Sequence, residues 1–146
     1  MTPREISAEI DRVCRRDWHS ELAPLLERLR QCDPVRTFHS LFGFAAHSQD
    51  AGPAAPAALL LFNLKPPCPI SCEAGIRELL VDWDVSIEEV PLYFAEQFGV
   101  SRVREVVAAI RTSPPMCCDI SRLDTIEYWL RCYEESRGDR VARGNA

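Results

Sequence analysis

The 146-residue sequence predicts an all-α protein, a compact bundle of about seven short amphipathic helices. Three observations carry that prediction. Apolar residues recur at spacings of three and four, and no segment sustains the alternation of a half-buried strand. Pro, Ser, Thr and Asp stand ahead of these runs, where helices start. Glycine is scarce, with six residues scattered singly, and one convincing loop, Ser48 to Pro56, interrupts the helical pattern.

Thr2-Pro3-Arg4-Glu5 reads as a capping box. The Thr2 hydroxyl accepts from the third helical N–H, Glu5 reaches back, and Pro3 sits in the first turn, where its missing donor is harmless. Ile6, Ile10, Val13, Cys14, Trp18, Leu22, Leu25, Leu26 and Leu29 follow at helical spacing. One amphipathic segment to Leu29 is expected, bent or broken near Pro24, whose ring removes the bond to Ser20. Asp33-Pro34 caps the next helix and turns Val35, Phe38, Leu41, Phe42 and Ala45 inward. Beyond the loop, Ala57 to Leu64 is rich in Ala and Leu rather than β-branched residues, which favours a short buried helix.

Ser71 opens a helix with Ile76, Leu79, Leu80 and Trp83 on one face. Val85-Ser86-Ile87-Glu88-Glu89-Val90 reads as a second capping box, with Val85 stapled on Val90. Its helix buries Ile87, Val90, Phe94 and Phe98 and stops at Gly99. Ser101 starts another, with Val103, Val106, Val107 and Ile110 inward, and Pro114-Pro115 forbids its continuation. Ser121 caps the last helix, which buries Leu123, Ile126, Leu130 and Tyr133 and is expected to end near Gly138. Residues 1–138 then form one domain, and 139–146 a frayed tail.

At an offset of 50 residues, Cys68, Ile70, Ser71, Ile76 and Leu80 recur as Cys118, Ile120, Ser121, Ile126 and Leu130. Both sets follow a Pro-Pro break. The segment from Glu88 to Ile110 loosely resembles HEAT repeats, with a Pro in its first helix and a Val-Arg pair in its second. The resemblance implies a short α-solenoid as the alternative arrangement, although stable arrays need at least about three copies.

Hydrophobic residues at 47% and charged residues at 27% fit a packed core rather than a disordered chain. The apolar run 54–64 is interrupted by Pro56 and Asn63 and is well short of the ~20 residues that span a bilayer. The first eleven residues are charged and carry no export signal. Seven cysteines, an odd number without framework spacing, fit free thiols in a reducing cytoplasm.

Function is written mainly in charge. Between Glu73 and Glu96 seven acids face one base, Arg77, a local balance of −6 against −5 for the whole chain. A focused acidic surface is the signature of a binding partner. Glu89, Tyr93 and Glu96 share one side of a helix, with Asp82, Asp84 and Glu88 at the preceding junction. These six are the candidate binding residues, and Tyr93 is the expected exposed anchor, because it lies off the Val90–Phe94–Phe98 stripe. The partner expected is a protein with a basic surface, for which a toxin-neutralising or otherwise regulatory role is one version. No HExxH, GxSxG or phosphate-binding glycine loop is present, so neither catalysis nor a cofactor is indicated. The acidic balance argues against duplex DNA.

Two other classes have weaker support. Cys68, Cys72, Cys117 and Cys118 lie in Pro-stiffened loops and are the candidate zinc or redox thiols, but adjacent cysteines seldom chelate one ion and the usual two-pair spacing is missing. Ala95 to Ser101 resembles the turn of a helix-turn-helix DNA reader. Glu105 occupies the position where that pattern needs an apolar residue. Arg137-Gly138-Asp139 spells an adhesion tripeptide and is better read as a helix-ending glycine between solvated charges.

Overall fold

The computed structural model of the chain describes residues 1–16, 18–47 and 51–144. Among them are eight helices: α1 (Pro3–Cys14), α2 (Trp18–Leu29), α3 (Pro34–Ala45), α4 (Ala51–Leu64), α5 (Cys72–Asp82), α6 (Glu89–Phe98), α7 (Val100–Thr112) and α8 (Ser121–Gly144). The described residues form no sheet, only an isolated bridge between His47 and Asp82. The helical bundle is therefore found, with one helix more than expected.

Three starts follow the capping chemistry. Glu5 N donates to Thr2 Oγ1 at 3.2 Å and Thr2 N to Glu5 Oε2 at 2.6 Å. Asp33 accepts from the Arg36 N–H at 2.9 Å, and Ser71 from the Ala74 N–H at 3.1 Å.

Four boundaries differ, each for a physical reason. The first segment breaks after α1, not at Pro24, which lies inside α2. The α1 end tightens as Arg16 N donates to the Val13 carbonyl three residues back, at 3.2 Å. An unbroken helix of that length would reach about 40 Å. Folding it in two brings Ile6, Ile10, Val13, Leu25 and Leu29 into one core. Glu9 secures the fold-back by accepting from Arg12 at 2.7 Å and Arg28 at 2.8 Å.

The expected loop at 48–56 is helical from Ala51 onward, while Ser48 to Asp50 lie outside the described residues. Pro53 falls in the first turn, where no donor is needed. Pro56 forfeits a single helical bond, and Ala54, Ala57, Ala58, Leu60 and Leu61 are buried on either side of it.

The second capping box does not form. Asp84 Oδ1 takes the Ser86 N–H at 3.0 Å and its hydroxyl at 2.7 Å, making a turn instead. Helix α6 begins at Glu89 with no side-chain cap. Pro91 explains the delay. From Glu89 it stands third in the helix, where a missing N–H is harmless, whereas a start at Ile87 would have cost an internal bond.

The last helix passes through Gly138 to Gly144. Gly138 keeps a negative φ, so the left-handed cap that would stop the helix is absent. Arg137-Gly138-Asp139 accordingly lies within a helix.

Helices α1–α4 pack as one group and α5–α8 as another, and α4 against α6 is the main junction between them. Both segments of the 50-residue echo, leading into α5 and α8, belong to the second group. They differ locally: Ser71 caps α5, whereas the Ser121 hydroxyl donates to Asp119. At the junction Phe38 and Phe42 of α3 meet Tyr93 and Phe94 of α6, with ring centroids 5.2–5.8 Å apart.

Gly75 lets α5 approach this cluster. A Cβ there would collide with the Phe94 ring. Gly75→Ala gains up to ~1 kcal/mol of helix propensity, but overpacking costs about 1–3 kcal/mol. The thermal midpoint is therefore expected to fall, and a calorimetric rise would show that the Phe94 ring yields freely.

Candidate functional site

The acidic stretch occupies the outer face of α5 and the turn 83–88. On α5, Ile76, Leu79 and Leu80 are fully buried. At 100° per residue, Arg77, Glu78 and Val81 therefore fall on the opposite side, with Glu73 and Asp82 flanking the buried face. Arg77 pairs with Glu73 at 2.9 Å. Val81 is 61% exposed among these charges and Val85 is 39% exposed in the turn.

The turn is fixed by its carbonyls. Ile87 O, which Pro91 cannot serve, accepts from the buried Trp83 Nε1 at 3.2 Å. Two side chains of α8 hold the next two: Arg122 Nε donates to Trp83 O at 3.0 Å, and Trp129 Nε1 to Val85 O at 2.9 Å. Asp119 N donates to Leu80 O at 3.1 Å, closing the α5 terminus. Carbonyls served in this way give the turn a defined shape. Asp84 is exposed on it, and Glu88, half-buried, follows.

His47 ties α3 to this face. Its Nδ1 is 2.8 Å from Asp82 Oδ1 and its Nε2 is 3.0 Å from Glu78 Oε1. Partial burial disfavours the charged ring, but the hydrogen bonds and charges of Glu78 and Asp82 outweigh it and leave the histidine pKa raised. A group whose pKa is higher folded than unfolded stabilises the fold below its unfolded pKa, and this stabilisation is lost as pH rises through the folded value. The ring's exposure keeps the effect small.

Three of the candidate residues are placed differently from the expectation. Tyr93 is fully buried, and its hydroxyl donates to Pro66 O at 2.7 Å. Burial, followed by the neighbouring Cys68, raises its pKa strongly. It is a core residue because α4 and the 65–68 segment cover the side of α6 that one-helix periodicity leaves open. Glu89 is half-buried, and desolvation, with the Glu88 charge, raises its carboxyl above the usual range. Glu96 faces α8 and accepts from the Tyr133 hydroxyl at 2.7 Å, with Lys65 at 3.6 Å. Those contacts, the Tyr133 bond first, lower its pKa. The structure thus joins Glu78 and Asp82 through His47, leaves Asp84 and Glu88 on the turn, and places Tyr93 in the core and Glu96 against α8. The histidine partner, 31 and 35 residues away, leaves no trace in local spacing.

All six cysteines whose side chains are described are free, and the Cys14 side chain lies outside the description. Burial raises Cys68 and pushes Cys72 up to about 11, the reverse of an activated thiol. Cys117 is exposed at φ 61°, beside Cys118. Among the described residues, no three His, Cys, Asp or Glu side chains are grouped to hold a metal ion.

Helices α6 and α7 are joined by Gly99 alone, at φ 86°, a tighter link than the three- or four-residue turn of a DNA reader. The arginines of α7 are paired: Arg102 with Glu105, Arg104 with Glu134, and Arg111 with Asp124 and Glu127. Between α2 and α4 a small, largely apolar cleft of about 210 Å³ is lined by Leu22, Leu26, Leu59 and Leu60, with His19 and Asn63 also lining it. No helix among the described residues is long and apolar enough to cross a membrane. No protein-family model, no curated protein and no solved structure matches the chain.

Proposed function

We propose that the protein is a non-catalytic interaction module that binds a basic protein through the outer face of α5 and the turn after it. The observation that carries this reading is Val81, 61% exposed between acids on a helix otherwise well packed. Its neighbours Glu78 and Asp82, continuing through Asp84 and Val85, give an apolar centre with a mainly acidic rim, in which Arg77 is the one base and is paired with Glu73. That is the anatomy of a polar-rimmed interface. Fixed turn carbonyls supply a preorganised surface, which lowers the ordering cost of association. A regulatory or toxin-neutralising role, with these carboxylates entering a basic groove of the partner, is the concrete version.

The test is capture of the partner from the native cell, with elution at graded salt and comparison of surface variants. Asp84→Lys and Glu88→Lys are expected to slow association and blunt its salt dependence, and Val81→Arg to speed dissociation. Val81→Arg and Glu88→Lys should melt within about 0.5 kcal/mol of wild type, as surface changes do, and Asp84→Lys, which also removes the acceptor for Ser86, about 1 kcal/mol lower. Retention of the same partner by all three variants, at unchanged salt, would remove this face from the binding surface.

A further inference from the structure

We propose that His47 sets the charge of this acidic face by taking up and releasing one proton, an inference that rests on the interaction role given above. The ring stands two residues beyond α3 and engages α5 through both nitrogens, at 2.8 Å to Asp82 and 3.0 Å to Glu78. Ionised carboxylates only accept, so both contacts are hydrogen bonds only when both ring nitrogens carry hydrogen. The charged ring is thus the form that the geometry fits. Its proton passes to solvent on deprotonation, and one of the two nitrogens then turns a lone pair toward a carboxylate. That bond is lost.

The charge of the trio changes from −1 to −2 in the same step. Glu78 and Asp82, both from α5, are the charged groups facing the ring among the described residues. They also flank Val81, so the titration acts where the partner would sit. With the ring charged, the two carboxylates are occupied and half neutralised. With it neutral, one of these hydrogen bonds is lost and the face presents one more net negative charge to basic side chains. The raised pKa of the ring moves this change upward from the ordinary histidine range, so the partner is held more tightly on the alkaline side.

Two measurements on the full chain test this. In an NMR titration, the His47 midpoint should lie above the ordinary value of about 6.5 and fall toward it in Glu78→Gln and Asp82→Asn. The binding probe is a peptide of arginines alone. Its affinity for wild type should rise by about threefold or more between roughly pH 6 and pH 9. His47→Gln should bind throughout at the alkaline level of wild type, which subtracts any contribution from His19, His39 or the thiols. A midpoint at the ordinary value, or the same pH dependence in wild type and His47→Gln, overturns the regulation. If Asp84→Lys and Glu88→Lys still weaken the peptide in that case, the interaction role stands without it. A peptide indifferent to those two changes removes both.

Discussion

Replacing Tyr93 with alanine is expected to cost about 3–5 kcal/mol of folding stability, the range for emptying a buried aromatic site. For a chain of this size that lowers the thermal midpoint by roughly 10 °C or more. The ring is fully buried against Phe38 and Phe94, at centroid separations of 5.8 and 5.5 Å. Its hydroxyl serves the Pro66 carbonyl, the exit of α4 where Lys65 sits at φ 49°. Tyr93→Phe separates the two contributions: it keeps the ring and strands one buried carbonyl, for about 1–3 kcal/mol. Calorimetry on both variants decides the matter. Losses near zero for Tyr93→Ala would return this residue to the surface and to the list of binding anchors.

Trp83→Ala is expected to cost a similar 3–5 kcal/mol, with a second consequence for the acidic face. Trp83 is 1% exposed and its indole N–H is the donor for Ile87 O, the carbonyl that Pro91 leaves unserved. Removing it empties the core at the α5 terminus and frees the turn that displays Asp84. Trp83→Phe should retain most of the packing and lose the hydrogen bond. Amide exchange in residues 84–88 should then accelerate relative to α6, while the rest of the chain is little changed. Equal acceleration everywhere would mean that Trp83 supports the whole bundle rather than the turn.

The helical class and most core residues were legible in the sequence because each depends on neighbours three or four residues away. Thr2, Asp33 and Ser71 cap their helices as their chemistry dictates, and Ile76, Leu80 and Trp83 are buried together. What failed was set by distant partners or by competition. Ser86 had a suitable sequence for a cap, but Asp84 takes its N–H and hydroxyl, and Pro91 favours the later start. Prolines in the 51–56 segment suggested a loop, and burial of the surrounding alanines against α1, α3 and α6 overrode them.

The candidate site divides in the same way. Charge density is read directly from the sequence, and helical spacing alone puts Glu78 on the outer side of α5. Side-chain exposure within α6 did not follow, because Tyr93 is covered by the chain segment around Pro66 and Glu96 by α8. His47 was invisible as a partner for Glu78 and Asp82, for only the fold brings this residue, just beyond α3, to α5. Val81, plain in the sequence as one more aliphatic residue, becomes informative only when the structure leaves it uncovered.

Amide exchange across the chain, free and saturated with the captured partner, tests the central claim most directly. Protection on binding should concentrate in residues 73–88, in the outer face of α5 and the turn that Arg122 and Trp129 hold. Protection confined to α2 and α4 around Leu22, Leu26, Leu59 and Leu60, with residues 73–88 exchanging at their free rate, would contradict it and place the binding surface at the apolar cleft.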